Sequence, residues 1–506
     1  MVSPVLTPLI LLFASALAVP LVSRLGTYMK FPKIRDIFSF AALLLSLYMI
    51  SSLLPSVPLS YQVNVFGGPY GVELYVSTLS VYIGIIALVM LSLVSFYSIK
   101  YMEVDNGLDS YYTLLLTFAA GIVGVVFSGD FFTLYVFWEL LSISSYSLVS
   151  FRKYRWQAVE GGIKYLFMGT VGSLIALYGI SLLYGVAGTL NFSALSSVIS
   201  TTSLGSNMSL YIIIATIFVG FGVSSAIVPF HTWIPDAYVG APNCVASLST
   251  VALIISAFSI IRSLMAVFSP FSFDYGLFFI FFGILSLTLG NFMAIMQRDV
   301  RRLLAFSSVS NMGYIFTGVG IGSYALFQFG TQGVYIFEIA MVGVFLHMLN
   351  HVFGKGLLFM AVGNFSQSTK SYLLDKLEGI GRRMPITGLA ASIGLLGLAG
   401  IPPLSGFWSK LFFISAAGSK LSDPVLDVTL VFLVFNSIFD AAYYIWVFQR
   451  IAFKPVTEKS QNAKEVSYVM WLPILILAAL LIIVTVRLDY FTSFIDAALR
   501  SLFKGA

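Results

Sequence analysis

Three ionisable side chains share one helical register in this sequence. The segment HMLNHVFGK, residues 347–355, sets His347, His351 and Lys355 at four-residue steps. On an α-helix they stack along one stripe. The apolar segment around them runs from about residue 335 to 362, long enough to cross a bilayer. Charges at lipid depth are costly and by default mark an ion or proton path. Imidazole titrates near neutrality, and desolvation brings lysine ammonium groups down towards it. The row therefore has the chemistry of a proton relay. A snorkelling lysine with two histidines bonding between helices is the plainer alternative. It explains one such residue more readily than three in register.

The composition supplies the framework that holds such a row. Of 506 residues, 59% are hydrophobic and 9% charged, against about 25% charged in a soluble domain. Apolar runs of membrane-spanning length recur throughout, which identifies an all-α polytopic membrane protein. The single cysteine, Cys244, excludes an internal disulfide framework and a cysteine-based metal cluster. The net charge of +6 is spread along the chain, so nucleic acid is not an expected partner. The first apolar run, about 5–22, has no basic flank ahead of it, and no cleavable leader is expected.

Hydropathy predicts about fourteen spans, at roughly 4–23, 37–54, 75–99, 111–128, 131–150, 162–187, 208–230, 241–267, 275–296, 302–322, 334–362, 385–419, 426–449 and 468–490. Nineteen of the 27 lysines and arginines fall in the loops after spans 1, 3, 5, 9, 11 and 13, and the intervening loops 55–72, 188–207, 268–274 and 323–333 carry none. The positive-inside rule puts the basic loops in the cytoplasm and both termini outside. Four basic residues lie within spans: Lys164, Lys355 and Lys410 deeply, and Arg262 near an outer end, where it is expected to snorkel. Glu139 and Asp440 lie inside spans 5 and 13.

Two spans read as broken. Span 7 runs into PFHTWIPDA, 229–237, and span 12 contains GIPPLSGFWSK, 400–410. Proline removes a backbone donor and clashes with the preceding turn, and freed backbone groups survive in a membrane only beside protein or water. The breaks are five spans apart, as are Lys164 and Lys355. This pattern predicts two inverted five-helix repeats, spans 4–8 and 9–13. The expected organisation is an N-terminal three-helix segment (1–110), a first repeat (111–270), a second repeat (271–450), and a C-terminal loop, helix 14 and tail (451–506).

Six motifs then carry a resemblance: GDFFTLYVFWELLSISSYSLVSF (129–151), GGIKYLFMGTVGS (161–173), PFHTWIPDAYVGAP (229–242), QRDVRRLLAFSSVSNMGYI (297–315), HMLNHVFGKGLLF (347–359) and GIPPLSGFWSK (400–410). Over about residues 75–450 the chain resembles the antiporter-like membrane subunits shared by respiratory complex I, Mrp-type Na⁺/H⁺ antiporters and membrane-bound [NiFe] hydrogenase-type complexes. It is most similar to the shorter members of that group, those of the MrpD type. The resemblance implies fourteen helices, two inverted repeats and a hydrophilic axis through the membrane. It assigns proton translocation to Glu139, Lys164, His347, His351, Lys355 and Lys410. Partners would be other membrane subunits, including sister antiporter-like subunits, with the lipid bilayer around them and H⁺ or Na⁺ as the transported ion. The chain itself would hold no cofactor, and Fe–S clusters, with Ni–Fe in some assemblies, would reside in partner subunits. It would thus belong to an oxidoreductase without a redox site of its own, in the cell membrane of a prokaryote.

The first half departs from that pattern. Aligned on the motifs, the family's helix 7 lysine falls on Ser224, its helix 8 histidine on Thr250, and a further lysine on Ser256. These hydroxyls support a water wire but carry no charge. Glu139 is therefore expected to be protonated or paired with Lys164. Ser224, Thr250 and Asp440 are accessory candidates; a structural role for Asp440, bonded to Ser or Tyr, weighs as much as one in ion exit. Trp138, Trp233 and Trp408 are expected to pack the motif helices. The alternative function is a degenerate scaffold subunit of the same complex, without a complete ion path. A stand-alone solute transporter is a third reading, which the lysine–histidine axis argues against.

Overall fold

Helix starts are written into the sequence as capping side chains. In the computed structural model, which describes residues 3–63, 72–201 and 208–503, Ser77, Asp130, Asp299 and Asp423 each accept a hydrogen bond from a backbone N–H in the first turn of the helix they precede. The helices in chain order are α1 (Thr7–Tyr28), α2 (Ile34–Ser52), α3 (Thr78–Tyr101), α4 (Leu108–Phe127), α5 (Phe131–Val149), α6 (Trp156–Ala187), α7 (Phe192–Thr201), α8 (Met208–Ser224), α9 (Ile234–Gly240), α10 (Asn243–Val267), α11 (Gly276–Ile295), α12 (Val300–Phe329), α13 (Val334–Thr369), α14 (Pro385–Ala399), α15 (Ser405–Gly418), α16 (Pro424–Ala452), α17 (Glu458–Gln461), α18 (Tyr468–Val486) and α19 (Leu488–Phe503). Among the described residues the only sheet is a hairpin, β1 (Leu59–Val63) against β2 (Val72–Val76). The chain is an all-α polytopic membrane protein.

Among the described residues, eleven helical stretches are long and apolar enough to cross a membrane, and one of them, Val300–Thr369, is α12 and α13 joined at a short 3₁₀ turn. The two broken spans complete the set of fourteen: α8 and α9 flank 225–233, and α14 and α15 flank 400–404. The expected bounds hold to within a few residues except where helices run past the apolar stretch into polar residues, as α6 does at its start and α13 at its end. Four elements are absent from the hydropathy reading: the hairpin, α7, α17 and α19. Each is too short or too amphipathic to register as a span. Among the described side chains of α19, Ile495, Ala498 and Leu499 are buried, spaced as one helical face.

Burial separates centre from rim. The most apolar 18 residues of α10 are 100% buried, against 28% in α16 and 39% in α6. The long helices α3, α10, α12 and α13 therefore form the middle of the bundle. The rim helices present apolar side chains outward, as the hydrocarbon of a bilayer or a partner subunit requires.

The basic loops lie on one face. Lys33 and Lys100 both pair with Glu103, at 3.1 and 2.5 Å, and Arg152 pairs with Asp105 at 2.7 Å. Leu374 N–H donates to Arg298 O at 3.0 Å, and Arg450 pairs with Asp375 at 2.6 Å. Lys100 and Lys464 line one pocket, which joins the two groups of loops. Lys100, then Lys33, holds the Glu103 carboxyl below its ordinary pKa through hydrogen bonding.

Candidate functional site

The stripe on α13 is buried: His347 is 2% exposed, and His351 and Lys355 are 0% exposed. Helix periodicity aims it, and α12 and α15 receive it. His347 Nδ1 bonds Ser409 Oγ on α15 at 2.9 Å, and its Nε2 bonds Asn311 Oδ1 on α12 at 3.0 Å. Lys355 Nζ donates to Leu304 O at 2.9 Å and to Ser307 Oγ, both on α12. The Tyr444 ring lies 5.5 Å from the Lys355 ammonium. His351, between them, has no hydrogen-bond partner at either ring nitrogen, and neither do Ser310 Oγ, Asn350 Oδ1 and Ser405 Oγ.

The second break is where this row ends. Pro402 and Pro403 stop α14, and Gly400 turns the chain at φ +80°. A side chain there would also meet the stem of Lys410, whose Cδ lies 3.0 Å from where a Cβ would stand. Ending a helix leaves its last carbonyls without intrahelical donors, at the negative end of the dipole. Lys410 takes two of them, donating to Leu398 O at 3.0 Å and Ala399 O at 3.2 Å. Its third bond is an ion pair, 2.6 Å to Asp440 Oδ2 on α16. Both side chains are buried, 5% and 0% exposed. The other Asp440 oxygen accepts from Tyr443 Oη, which also bonds Asn291 Oδ1 at 3.3 Å. Tyr314 sits over the Lys410 ammonium at 5.2 Å and packs on His347 at 5.4 Å between rings. His347, Lys410 and Asp440 thus share one aromatic-walled pocket. The sequence had left Asp440 open between a structural bond and ion exit; it is the direct counter-ion of Lys410.

The first-half candidates are not brought together in this way. Lys164, read from sequence as deep, lies in the third turn of α6 with a half-exposed side chain. Its stripe, continuing through Phe167, Val171, Leu174 and Tyr178, is the outward stripe of the helix. Its ammonium pairs with Glu160 at 2.7 Å and Asp236 at 2.6 Å, and Arg302 joins Asp236 at 2.8 Å. The apolar run of α6 hid this, because the helix begins six residues before the run does. Glu139 is accordingly not paired with Lys164. Its carboxyl accepts from Ser173 Oγ, which contacts Tyr135 Oη at 2.9 Å. Ser224 is buried with its hydroxyl unpartnered. Thr250 donates back to Ser247 O at 2.7 Å, and Ser256 accepts from Trp138 Nε1 at 3.4 Å.

Arg262 does not snorkel. Its buried guanidinium donates to Val126 O and to Tyr75 O, the latter at 2.7 Å, fixing the hairpin to α4 and α10. The tryptophans do pack the motifs: Trp233 stacks on Tyr165 at 3.9 Å and donates to Val223 O at 2.9 Å, and Trp408 donates to Pro403 O at 3.2 Å.

Comparison with known proteins matches residues 128–439 to the family described as NADH:quinone oxidoreductase/Mrp antiporter, transmembrane. F(420)H(2) dehydrogenase subunit N of Methanosarcina mazei is 28% identical over 476 residues, covering 90% of each chain. NADH-quinone oxidoreductase subunit N of Polaromonas naphthalenivorans is 32% identical over 360 residues, covering 71% of this chain and 70% of that one. Among solved structures, the membrane-bound sulfane sulfur reductase, an archaeal respiratory membrane complex, contains a chain that superposes with a TM-score of 0.84 at 26% identity, over 98% of this chain and 97% of that chain.

Proposed function

The chain belongs to the NADH:quinone oxidoreductase/Mrp antiporter membrane family, and from that premise we propose that it translocates protons, or Na⁺, as the antiporter-like subunit of a membrane-bound energy-converting complex. The observation that carries the reading is the buried Lys410–Asp440 pair at the end of the His347–His351–Lys355 row. An ion pair in a low-dielectric interior is held by mutual attraction and by its remaining hydrogen bonds. Neutralising or displacing Asp440 removes that attraction, and the ammonium then gives up its proton. His347 bridges Ser409 and Asn311 through its two ring nitrogens. It can therefore accept a proton on one side and release one from the other. The unpartnered groups around His351 make this part of the axis hospitable to water, which links side chains too far apart to bond directly.

In this reading the basic face is cytoplasmic, residues 111–270 and 271–450 are inverted repeats, and conduction runs through the second. Lys355, His347, His351, Lys410 and Asp440 carry it. Lys164 lies at the rim with a half-exposed side chain, and Glu139, part-buried against Ser173, stands outside this row. The scaffold reading is kept for the first repeat alone, because the buried, uncharged Ser224, Thr250 and Ser256 fall where the resemblance implies charged residues. The test is Lys355→Ala in the intact complex, in sealed inverted vesicles, following substrate-driven ΔpH and membrane potential with and without Na⁺. Loss of the gradient with assembly intact is expected. An unchanged gradient would make the whole chain a scaffold.

A further inference from the structure

A row of proton-bearing groups needs a supply, and the axis residues are closed off from water. A second buried polar seam leads from Lys355 to the basic face. It begins at Glu465, half-buried in the loop before α18. Glu465 Oε1 accepts from Thr387 Oγ1 at 2.6 Å. Asn364 Nδ2, on the same helix as the histidine row, donates to Thr387 Oγ1 at 3.3 Å. Tyr97 Oη, on α3, donates to Asn364 Oδ1 at 3.0 Å. Asn243, on α10, comes next: Tyr97 and Asn243 meet over the bare backbone of Gly363, where an added Cβ would stand 2.5 Å from Tyr97 Oη and 3.1 Å from Asn243 Nδ2. One turn further, Ser247 donates to Asn243 O at 3.0 Å and to Gly356 O at 3.1 Å, the carbonyl of the residue that follows Lys355, so that water must span the last step to the Lys355 amine on the α12 side.

Five of these six groups are buried: Thr387 and Asn243 are 1% exposed, and Tyr97, Asn364 and Ser247 are 0% exposed. From Asn364 to Lys355 is nine residues of helix, about 14 Å at the usual rise. A helix cap would account for Glu465 alone, which also accepts from Ile386 N–H at 3.0 Å and Thr387 N–H at 3.3 Å at the start of α14. It does not account for what lies behind it. Asn243 holds both amide atoms buried without a partner, next to the Tyr97 hydroxyl. A buried primary amide left so is costly, about 1–3 kcal/mol for each unmet group, and a pure lock between helices has no use for it.

We propose that Glu465 is the port through which protons enter from the basic face and that the Thr387–Asn364–Tyr97–Asn243–Ser247 seam conducts them to Lys355. This rests on the translocation reading above. Glu465 takes a proton from bulk water. Each hydroxyl accepts one proton and passes on its own, so none accumulates, and the amides of Asn364 and Asn243 orient the water that carries the charge past them. The proton ends on the Lys355 amine.

The experiment uses the assembled complex in sealed vesicles and reads the initial rate of membrane-potential formation per complex, a signal that a permeant weak acid does not collapse. Glu465→Gln is expected to slow that rate at least fivefold, Glu465→Asp to retain most of it, and sodium formate to restore the Gln variant by bringing protons to the vacated port. Tyr97→Phe, which removes one oxygen and leaves the packing, is expected to slow it without formate rescue. Lys355→Ala is run alongside. If it abolishes the potential while Glu465→Gln and Tyr97→Phe run at the parent rate, the port is wrong and the translocation reading stands. If Lys355→Ala is silent as well, both fall. A slow Glu465→Gln variant that formate leaves slow would reduce Glu465 to a helix cap and overturn the port.

Discussion

The two helix breaks begin from the same device and end in different chemistry. In each, prolines stop a helix at mid-span and free its last carbonyls. At the first break, Val223 O is taken by the indole of Trp233 and the backbone N–H of Ala226, while Phe221 O keeps its helical bond from Ser225 N–H and adds the Ser225 hydroxyl. At the second, Leu398 O and Ala399 O are taken by the ammonium of Lys410, which also holds Asp440. Neutral donors make the first break a rigid joint. A cation makes the second a charge site whose occupancy can change. The difference shows that a broken helix is only an opportunity for ion chemistry; the residue that answers the orphan carbonyls decides whether it is used.

The largest effect should come from splitting the charge pair. Asp440→Asn leaves Lys410 buried and uncompensated, and breaking a buried pair from one side costs about 3–5 kcal/mol. Loss of gradient formation and a sharp fall in assembled complex are expected, read by native gel and vesicle assay. The double variant Lys410→Met/Asp440→Leu should recover assembly without recovering transport. If it recovered transport, the second break would be as structural as the first.

His347→Leu comes next. It removes the bridge between Ser409 and Asn311; Ser409 keeps its bond to Gly406 O, and the buried Asn311 oxygen is left without its partner, at about 1–3 kcal/mol. Transport should fall about a hundredfold, the low end of the range for loss of one positioned proton-transfer group, with His347→Gln no better, because an amide keeps the bonds but not the titration. Recovery in the Gln variant would make His347 a strut.

Lys164→Ala should do far less. Lys164 sits in an exposed, solvent-screened ion network, so transport per assembled complex should change less than twofold. A loss matching that of Lys355→Ala would return the first repeat to the ion path. Smallest of all is Trp138→Phe, which gives up a long bond to Ser256; thermal stability should shift by no more than about 1 kcal/mol with transport unchanged.

Much of this was legible in the sequence because lipid leaves few choices. Apolar length fixed the spans, the prolines at 229, 235, 402 and 403 located both breaks, and four-residue spacing set the α13 stripe. What escaped was lateral. Nothing in the α6 run says which way Lys164 faces, since that depends on where its neighbours pack, and the polar first turns of the helix lay outside the apolar window. Asp440 was visible as a buried acid, but its partner lies 30 residues away on another helix, and no periodicity links the two. Glu465 sits in a polar loop where an acid is unremarked. Only Thr387 and Asn364, brought behind it by the fold, give it a setting.

The central claim is that ions cross through the second repeat by way of Lys410. The most direct measurement is the number of charges moved per turnover in assembled complexes carrying Lys410→Met/Asp440→Leu, which removes both buried charges together. A lower number is expected, reduced by this subunit's whole share, with turnover and assembly retained. A number equal to that of the parent complex would contradict it.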